Sequence, residues 1–178
     1  MRIGIDISQM AYEKTGVANY LVNLVENLLT IDKENEYVLF FSSLRRKWRL
    51  PDGVWRNRNI KLKTFRLPPS FLDFLWNRLH ILPIEWLIGD LDIFITSDWV
   101  EPPVTKACKA TILYDLIVYR FPEETDKRIV DAQRRKLKWV KKESAVIFCI
   151  SEATKKDARE ILGIEEKRLK VICPGGIC

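Results

Sequence analysis

Short apolar runs alternate with helix-spaced segments along almost the whole chain, and no other property restricts its fold as much. Runs at 2–7, Tyr37–Phe41, Ile60–Phe65, Leu91–Thr96, Thr111–Leu113, Ala145–Ile150 and Leu169–Cys173 read as strands. Val17, Tyr20, Leu21, Leu24 and Leu28 repeat at helical spacing after the first strand. Pro68-Pro69-Ser70 opens a second helix, running towards Leu87, which Pro83 ends or kinks. Residues 124–142 form a third helix, and Ser151 caps a fourth that Gly163 stops. The strands lack strict polar–apolar alternation, so both faces of their sheet are covered. This order implies an α/β fold, a Rossmann-like parallel sheet with helices on both faces.

In such sheets ligands bind beyond the carboxyl ends of the strands. Ser8 and Gln9, Ser97 and Asp98, Asp115, and Ser151 all follow strands directly. Asp115 therefore has two readings: a carboxylate aimed into a binding crevice, or an aspartate that caps a turn.

Composition sets the outer limits. A chain of 178 residues with 47% hydrophobic residues fits one domain with a sizeable core. No apolar run approaches the roughly 20 residues of a membrane span. Met1-Arg2-Ile3-Gly4 leads straight into a strand, which predicts no signal peptide. Cys108, Cys149, Cys173 and Cys178 lack zinc-site spacing and are expected to be reduced and structural, as in a cytoplasmic protein.

The net charge of +6 conceals a segregation. Between Leu44 and Arg66 nine Lys and Arg residues stand against Asp52 alone, and between Lys127 and Lys142 eight stand against Asp131 alone. Trp48, Trp55 and Trp139 are interleaved with them. Cations with interfacial aromatics suit lipid headgroups or nucleic-acid phosphate, and equally suit a solvated loop and a solvated helix face.

Several ready-made motifs fail. A dinucleotide fingerprint needs three glycines after the first strand, whereas Asp6 to Tyr20 offers only Gly16, which disfavours NAD and FAD. There is no phosphate-loop motif. Asp90-Leu91-Asp92 precedes its strand and reads as a turn rather than a metal pair. The one histidine, His80, lies among Trp76, Leu79, Ile81 and Leu82 and reads as a packed helix position. It supports neither a histidine-based metal site nor a serine–histidine–acid triad.

Four segments, taken in order, carry a resemblance: "RIGIDISQMAYEKTGVANYLVNLVENLL", "FLWNRLHILPIEWL" with "LDIFITSDWVEPP", "TILYDLIVYRFPE", and "IFCISEATKKDAREILGIEEKRLKVICPGG". Together the chain resembles the N-terminal domain of a group 1, family 4 glycosyltransferase of the GT-B fold. The resemblance implies that 1–174 is the acceptor-side half and 175–178 the start of an interdomain linker, the donor-binding C-terminal domain being absent. It implies retaining hexosyl transfer from a nucleotide-sugar donor to a glycan or lipid-linked acceptor, with no metal or other cofactor, and little activity from this half alone. Asp115 and Tyr114 would be catalytic, although the family carries histidine where Tyr114 stands. Gly16 and Val17 would meet the donor phosphates, and Asp98, Trp99, Glu101 and Ser151 the acceptor. Arg45, Arg46, Lys47, Trp48 and Trp55 would meet an anionic membrane surface, with the protein cytoplasmic and peripheral on the inner face. A nucleic-acid partner is not expected. A non-catalytic binding or regulatory module on the same sheet stays open as the alternative, favoured by Tyr114.

Overall fold

A computed structural model describes residues 1–46, 48, 53 and 59–175. The elements follow one another as β1 (Arg2–Asp6), a 3-10 turn (Ser8–Ala11), α1 (Gly16–Ile31), β2 (Glu36–Ser42) and β3 (Ile60–Phe65). Next come α2 (Pro69–Leu72), a π-helical segment (Asp73–Arg78), α3 (Glu85–Ile88), β4 (Ile93–Thr96), β5 (Cys108–Leu113) and α4 (Ile117–Arg120). A 3-10 turn (Pro122–Glu124), α5 (Lys127–Glu143), β6 (Val146–Cys149), α6 (Glu152–Glu160), a last 3-10 turn (Glu166–Arg168) and β7 (Leu169–Val171) complete it.

All pairings are parallel, and the strands lie in the order β3-β2-β1-β4-β5-β6-β7. The order reverses at β1, which pairs with β2 on one side and β4 on the other. The chain thus leaves these two strands in opposite directions, and a crevice opens over their carboxyl ends.

Local chemistry sets the helix ends. The Thr15 hydroxyl caps α1 by accepting from the Ala18 amide at 3.2 Å, and the Asp126 carboxylate caps α5 through the Arg128 amide at 2.7 Å. Ser151 caps α6 as its position predicts, accepting from the Thr154 amide at 3.1 Å. Gly163, at φ 63°, ends the turn beyond α6 in the left-handed region that glycine tolerates best.

Both sheet faces are covered, as the unbroken apolar strands imply. Tyr37, Leu39 and Phe41 of β2 pack with Leu21, Val25 and Leu29 of α1. Val38 and Phe40, on the opposite face, pack with Leu72, Trp76, Ile84 and Ile88. A further cluster seats Val130, Leu137 and Val140 of α5 and Ala158 of α6 on Leu113, Ile147 and Cys149. Each large aliphatic side chain buried in this way contributes about 1.5–3 kcal/mol relative to exposure.

The segment after Pro69 departs from the expected single helix. α2 widens into the π-helical stretch and stops before Pro83, with His80 and Leu82 at φ 54° and 65°. The residue before a proline is disfavoured in helical conformation. The wholly buried Trp76 also donates its indole N–H to the Leu82 carbonyl at 3.0 Å, holding the chain reversal in place. His80 is packed as expected but lies beyond the helical segment rather than on it: its ring is 3.5 Å from that of Trp139 at an interplanar angle of 5°.

Cys108 and Cys149 are free thiols, and burial pushes the Cys149 thiol up to about 11. Cys173 is disulfide-bonded, which corrects the expectation that it is reduced; Cys178 lies outside the described residues.

Candidate functional site

Two cavities adjoin at the crevice. One, of about 290 Å³, is lined by Asp98, Tyr114, Asp115, Thr125, Gln133 and Lys136 among others. The second, of about 440 Å³, is lined by Gln9, Tyr12, Thr15, Val17, Pro69, Asp98 and Trp99. Val17, Asp98 and Trp99 line both, so the two are lobes of one cleft. The first lobe sets hydrogen-bonding groups among apolar side chains such as Ile117, Val118 and Ile129, and the second presents a tyrosine, a tryptophan, a valine and a proline.

The floor of the cleft is made of strand-end residues. Asp6, at the end of β1, lies beneath the lobes without lining either; it is buried and accepts from the Ser8 amide at 2.9 Å. Burial raises its carboxyl above the ordinary value, against the lowering pull of Ser8 and of the Lys136 charge. Tyr114 follows β5 and turns inward. Its hydroxyl lies 3.2 Å from the Ser97 hydroxyl, and its ring meets Tyr20 edge-on at 5.6 Å. Burial pushes the Tyr114 phenol well above its usual range, so it stays protonated and serves as a hydrogen-bonding group rather than a base.

Asp98 is a carboxylate that lines both lobes. It accepts from the Gln133 side-chain amide at 3.1 Å, and burial raises its carboxyl, opposed by the nearby Lys136 charge. Lys136 is only 2% exposed and donates its ammonium to the Ser97 carbonyl. Burial lowers its affinity for the proton, while Glu101, Asp98 and Asp6 pull it back up. An exposed Asp115 lines the first lobe and also accepts from the Ile117 amide at 3.1 Å. The turn-capping reading of this residue is therefore realised, and its place in the cleft wall comes with it.

Other expected site residues are placed differently. Glu101 has no access to the cleft. It is wholly buried, 3.1 Å from the Lys109 ammonium, and accepts from the Thr96 hydroxyl at 2.6 Å. An acceptor-binding role there fails because the carboxylate is sealed beneath the floor. Ser151 spends its hydroxyl on the α6 cap, although it shares the carboxyl rim of the sheet with Asp115. Gly16 opens α1 with a negative φ, and a Cβ built there meets nothing within 4 Å, so no tight turn demands a glycine. Arg45, Arg46 and Trp48 line a separate cavity at the ends of β2 and β3 rather than the cleft, whereas Lys47 and Trp55 lie outside the described residues. Trp48 stacks on Phe41 at 6.1 Å.

Lys136 and Gln133 were not foreseen. Their signal lay in α5, where they share a helical face with Val130, Leu137 and Val140. Among the described residues no group of three His, Cys, Asp or Glu side chains could hold a metal ion, and no helix is long and apolar enough to cross a membrane.

No family model matches the chain, and no curated protein matches it. Similar solved structures include two from Veillonella parvula DSM 2008. One is a short-chain dehydrogenase/reductase (ethylated), 9% identical, with a TM-score of 0.48 over 83% of this chain and 67% of that one. The other is a short-chain dehydrogenase/reductase (wide type) in complex with NADP, 9% identical, with a TM-score of 0.49 over 98% of this chain and 95% of that one. At this distance the likeness is one of general α/β layout and assigns no activity.

These neighbours are not GT-B glycosyltransferases, and the family resemblance read from the sequence is corrected accordingly. With it go retaining sugar transfer, the nucleotide-sugar donor, the glycan or lipid-linked acceptor and the anionic membrane partner. The physical reason lies in what the quoted segments encode. A strand ending in a small polar loop, followed by a capped helix, is what any doubly wound parallel sheet requires. Matching such punctuation in order reports the architecture and does not discriminate among the families that share it.

Proposed function

We propose that this domain binds a small molecule in the two-lobed cleft at the carboxyl edge of its sheet. One observation carries the reading: Val17, Asp98 and Trp99 join a mainly apolar lobe to one that sets Asp98, Asp115 and Gln133 among apolar walls, at the point where the strand order reverses. Apolar walls with a few fixed polar groups are what small-molecule sites are made of.

The chemistry of the walls narrows the ligand. Tyr12, Val17, Pro69 and Trp99 suit a flat ring. Asp98 and the exposed Asp115 suit a hydroxyl or amino group that donates hydrogen bonds. Lys136 sits behind them with its ammonium engaged by Ser97, so it tempers the charge of Asp98 and does not itself attract an anion. The fitting ligand is a compact ring compound with a hydroxyl- or amine-bearing end.

Protein-observed NMR with a library of hydroxyl- and amine-substituted aromatic rings tests this. Binders are expected to move the amides of Val17, Trp99 and Asp115. Trp99→Ala and Asp98→Asn should each weaken them by about tenfold, the equivalent of about 1.4 kcal/mol. A library that leaves these amides unmoved, or binders indifferent to both substitutions, would overturn the proposal.

A further inference from the structure

A second cavity system lies outside the cleft, over the carboxyl ends of β2 and β3. It measures about 510 Å³ and is lined by Arg45, Arg46 and Arg66, by Ser43 and Thr64, and by the aromatic rings of Phe41, Phe65 and Trp48. Among the described residues that line it there is no carboxylate. Among the described residues no acidic side chain pairs with Arg45, Arg46 or Arg66. Lys61, on the neighbouring edge strand, shows the contrast: its ammonium is matched by Glu36 at 2.6 Å.

Three guanidinium groups around one cavity repel one another unless an anion sits between them. One of them is already held in place. Arg46 donates to the Ala11 carbonyl, its backbone amide donates to the Ser43 hydroxyl at 3.1 Å, and its guanidinium lies 5.1 Å from the centre of the Tyr12 ring. A guanidinium fixed in this way presents its remaining N–H groups without further loss of freedom. Arg45 and Arg66 come from the two segments that leave β2 and β3, so the parallel pairing of those strands brings them to the same rim.

We propose that this cavity is a binding site for a phosphorylated small molecule. The phosphate would lie between Arg45, Arg46 and Arg66, with Ser43 and Thr64 as further hydrogen-bond donors. Arginine forks match phosphate oxygens in pairs, which a single surface cation does not do. The apolar part of the ligand would rest against Phe65 and Trp48. The site is distinct from the two-lobed cleft, and it meets that cleft at one place: Tyr12 lines the apolar lobe and carries Arg46 on its ring.

Calorimetric titration of the full chain with phenyl phosphate and inorganic phosphate, both at one fixed ionic strength, tests the proposal. Phenyl phosphate is expected to bind at this site more tightly than inorganic phosphate. Arg45→Ala and Arg66→Ala should each weaken phenyl phosphate by about tenfold or more, and Arg66→Lys should restore only part of the loss. Trp99→Ala, in the separate cleft, should leave this binding unchanged, which keeps the two proposals independently testable. Far-UV circular dichroism of each variant checks that the fold is retained. Equal binding by the Arg45→Ala/Arg66→Ala double variant would overturn the site. So would phenyl phosphate binding no better than phenyl sulfonate and chloride of equal ionic strength, since that marks a general cationic surface.

Discussion

The Lys109 ammonium lies 3.1 Å from the Glu101 carboxylate, and neither side chain is more than 1% exposed. The pair joins β5 to the loop after β4 directly beneath the cleft. Its surroundings leave little unsatisfied. Thr96 donates to Glu101 at 2.6 Å, the Ser144 hydroxyl stands 3.4 Å away, and Lys109 also reaches Glu143 at 3.0 Å. Glu143 in turn meets the His80 ring at 2.9 Å. The cleft floor thus rests on a chain of charged hydrogen bonds that crosses from the sheet to α5.

Removing one member of this pair should be far worse than removing both. Lys109→Met leaves the Glu101 charge buried without its nearest partner and is expected to lower stability by about 3–5 kcal/mol in urea unfolding. The double variant Lys109→Met/Glu101→Leu should recover a large part of that loss, because an apolar pair of similar volume avoids the desolvation of two charges. A single variant within about 1 kcal/mol of the parent protein would show that water reaches the pair.

Acid and neutral pH should act on Asp6 and Asp157 with opposite signs. Burial raises the folded-state value of Asp6 above 3.8. Its contribution is therefore fully present below 3.8 and is lost as pH rises through the folded value. The hydrogen bond and charge of Arg120 hold Asp157 below 3.8. Its contribution is present above 3.8 and is lost as pH falls through the folded value. Urea midpoints measured from about pH 3 to 8 should thus respond differently to the two amides. Asp6→Asn is expected to gain on the parent as pH rises from the acid end towards neutrality, and Asp157→Asn to fall behind it over the same rise. Parallel pH profiles for the two variants would contradict this assignment.

Two glycines, one in β1 and one at the start of α1, should respond unequally to alanine. A Cβ on Gly4 would stand 2.7 Å from Leu91 Cδ1 and 2.7 Å from Phe94 Cδ2, in the hydrophobic cluster that covers one face of the sheet. Gly4→Ala is expected to lose about 1–3 kcal/mol through overpacking. Gly16 has open space around it and a helical backbone, so Gly16→Ala should stay within about 1 kcal/mol of the parent, on the stabilising side. Thermal unfolding of both variants reads the difference, and a destabilised Gly16→Ala protein would mean that α1 opens with a conformation only glycine accepts.

What the sequence determined by itself was set by interactions of short range. Strand and helix alternation, the covered sheet faces, the Ser151 cap and the Gly163 stop depend on residues within a few positions of one another, so periodicity and local hydrogen bonding reveal them. The carboxyl-edge placement of Asp98, Tyr114 and Asp115 follows from the architecture once the strands are known. Tertiary structure alone decided which of these residues face the cleft. Glu101 reads as a strand-end acid, yet Lys109 and Thr96 draw it under the floor. Lys136 reads as one cation in a charged helix, yet it is buried against Ser97, 39 positions earlier. The helix expected beyond Ser70 gives way to a π-helical turn because Trp76 is buried against Phe40 of the sheet and bonded to Leu82. The arginines beyond β2 and β3 meet at one cavity because those strands pair in parallel and end at the same rim. A charge distant in sequence changes a residue's environment without leaving a mark on its local spacing, so burial of a charged group and convergence of a cluster appear only when the sheet has brought the partners together.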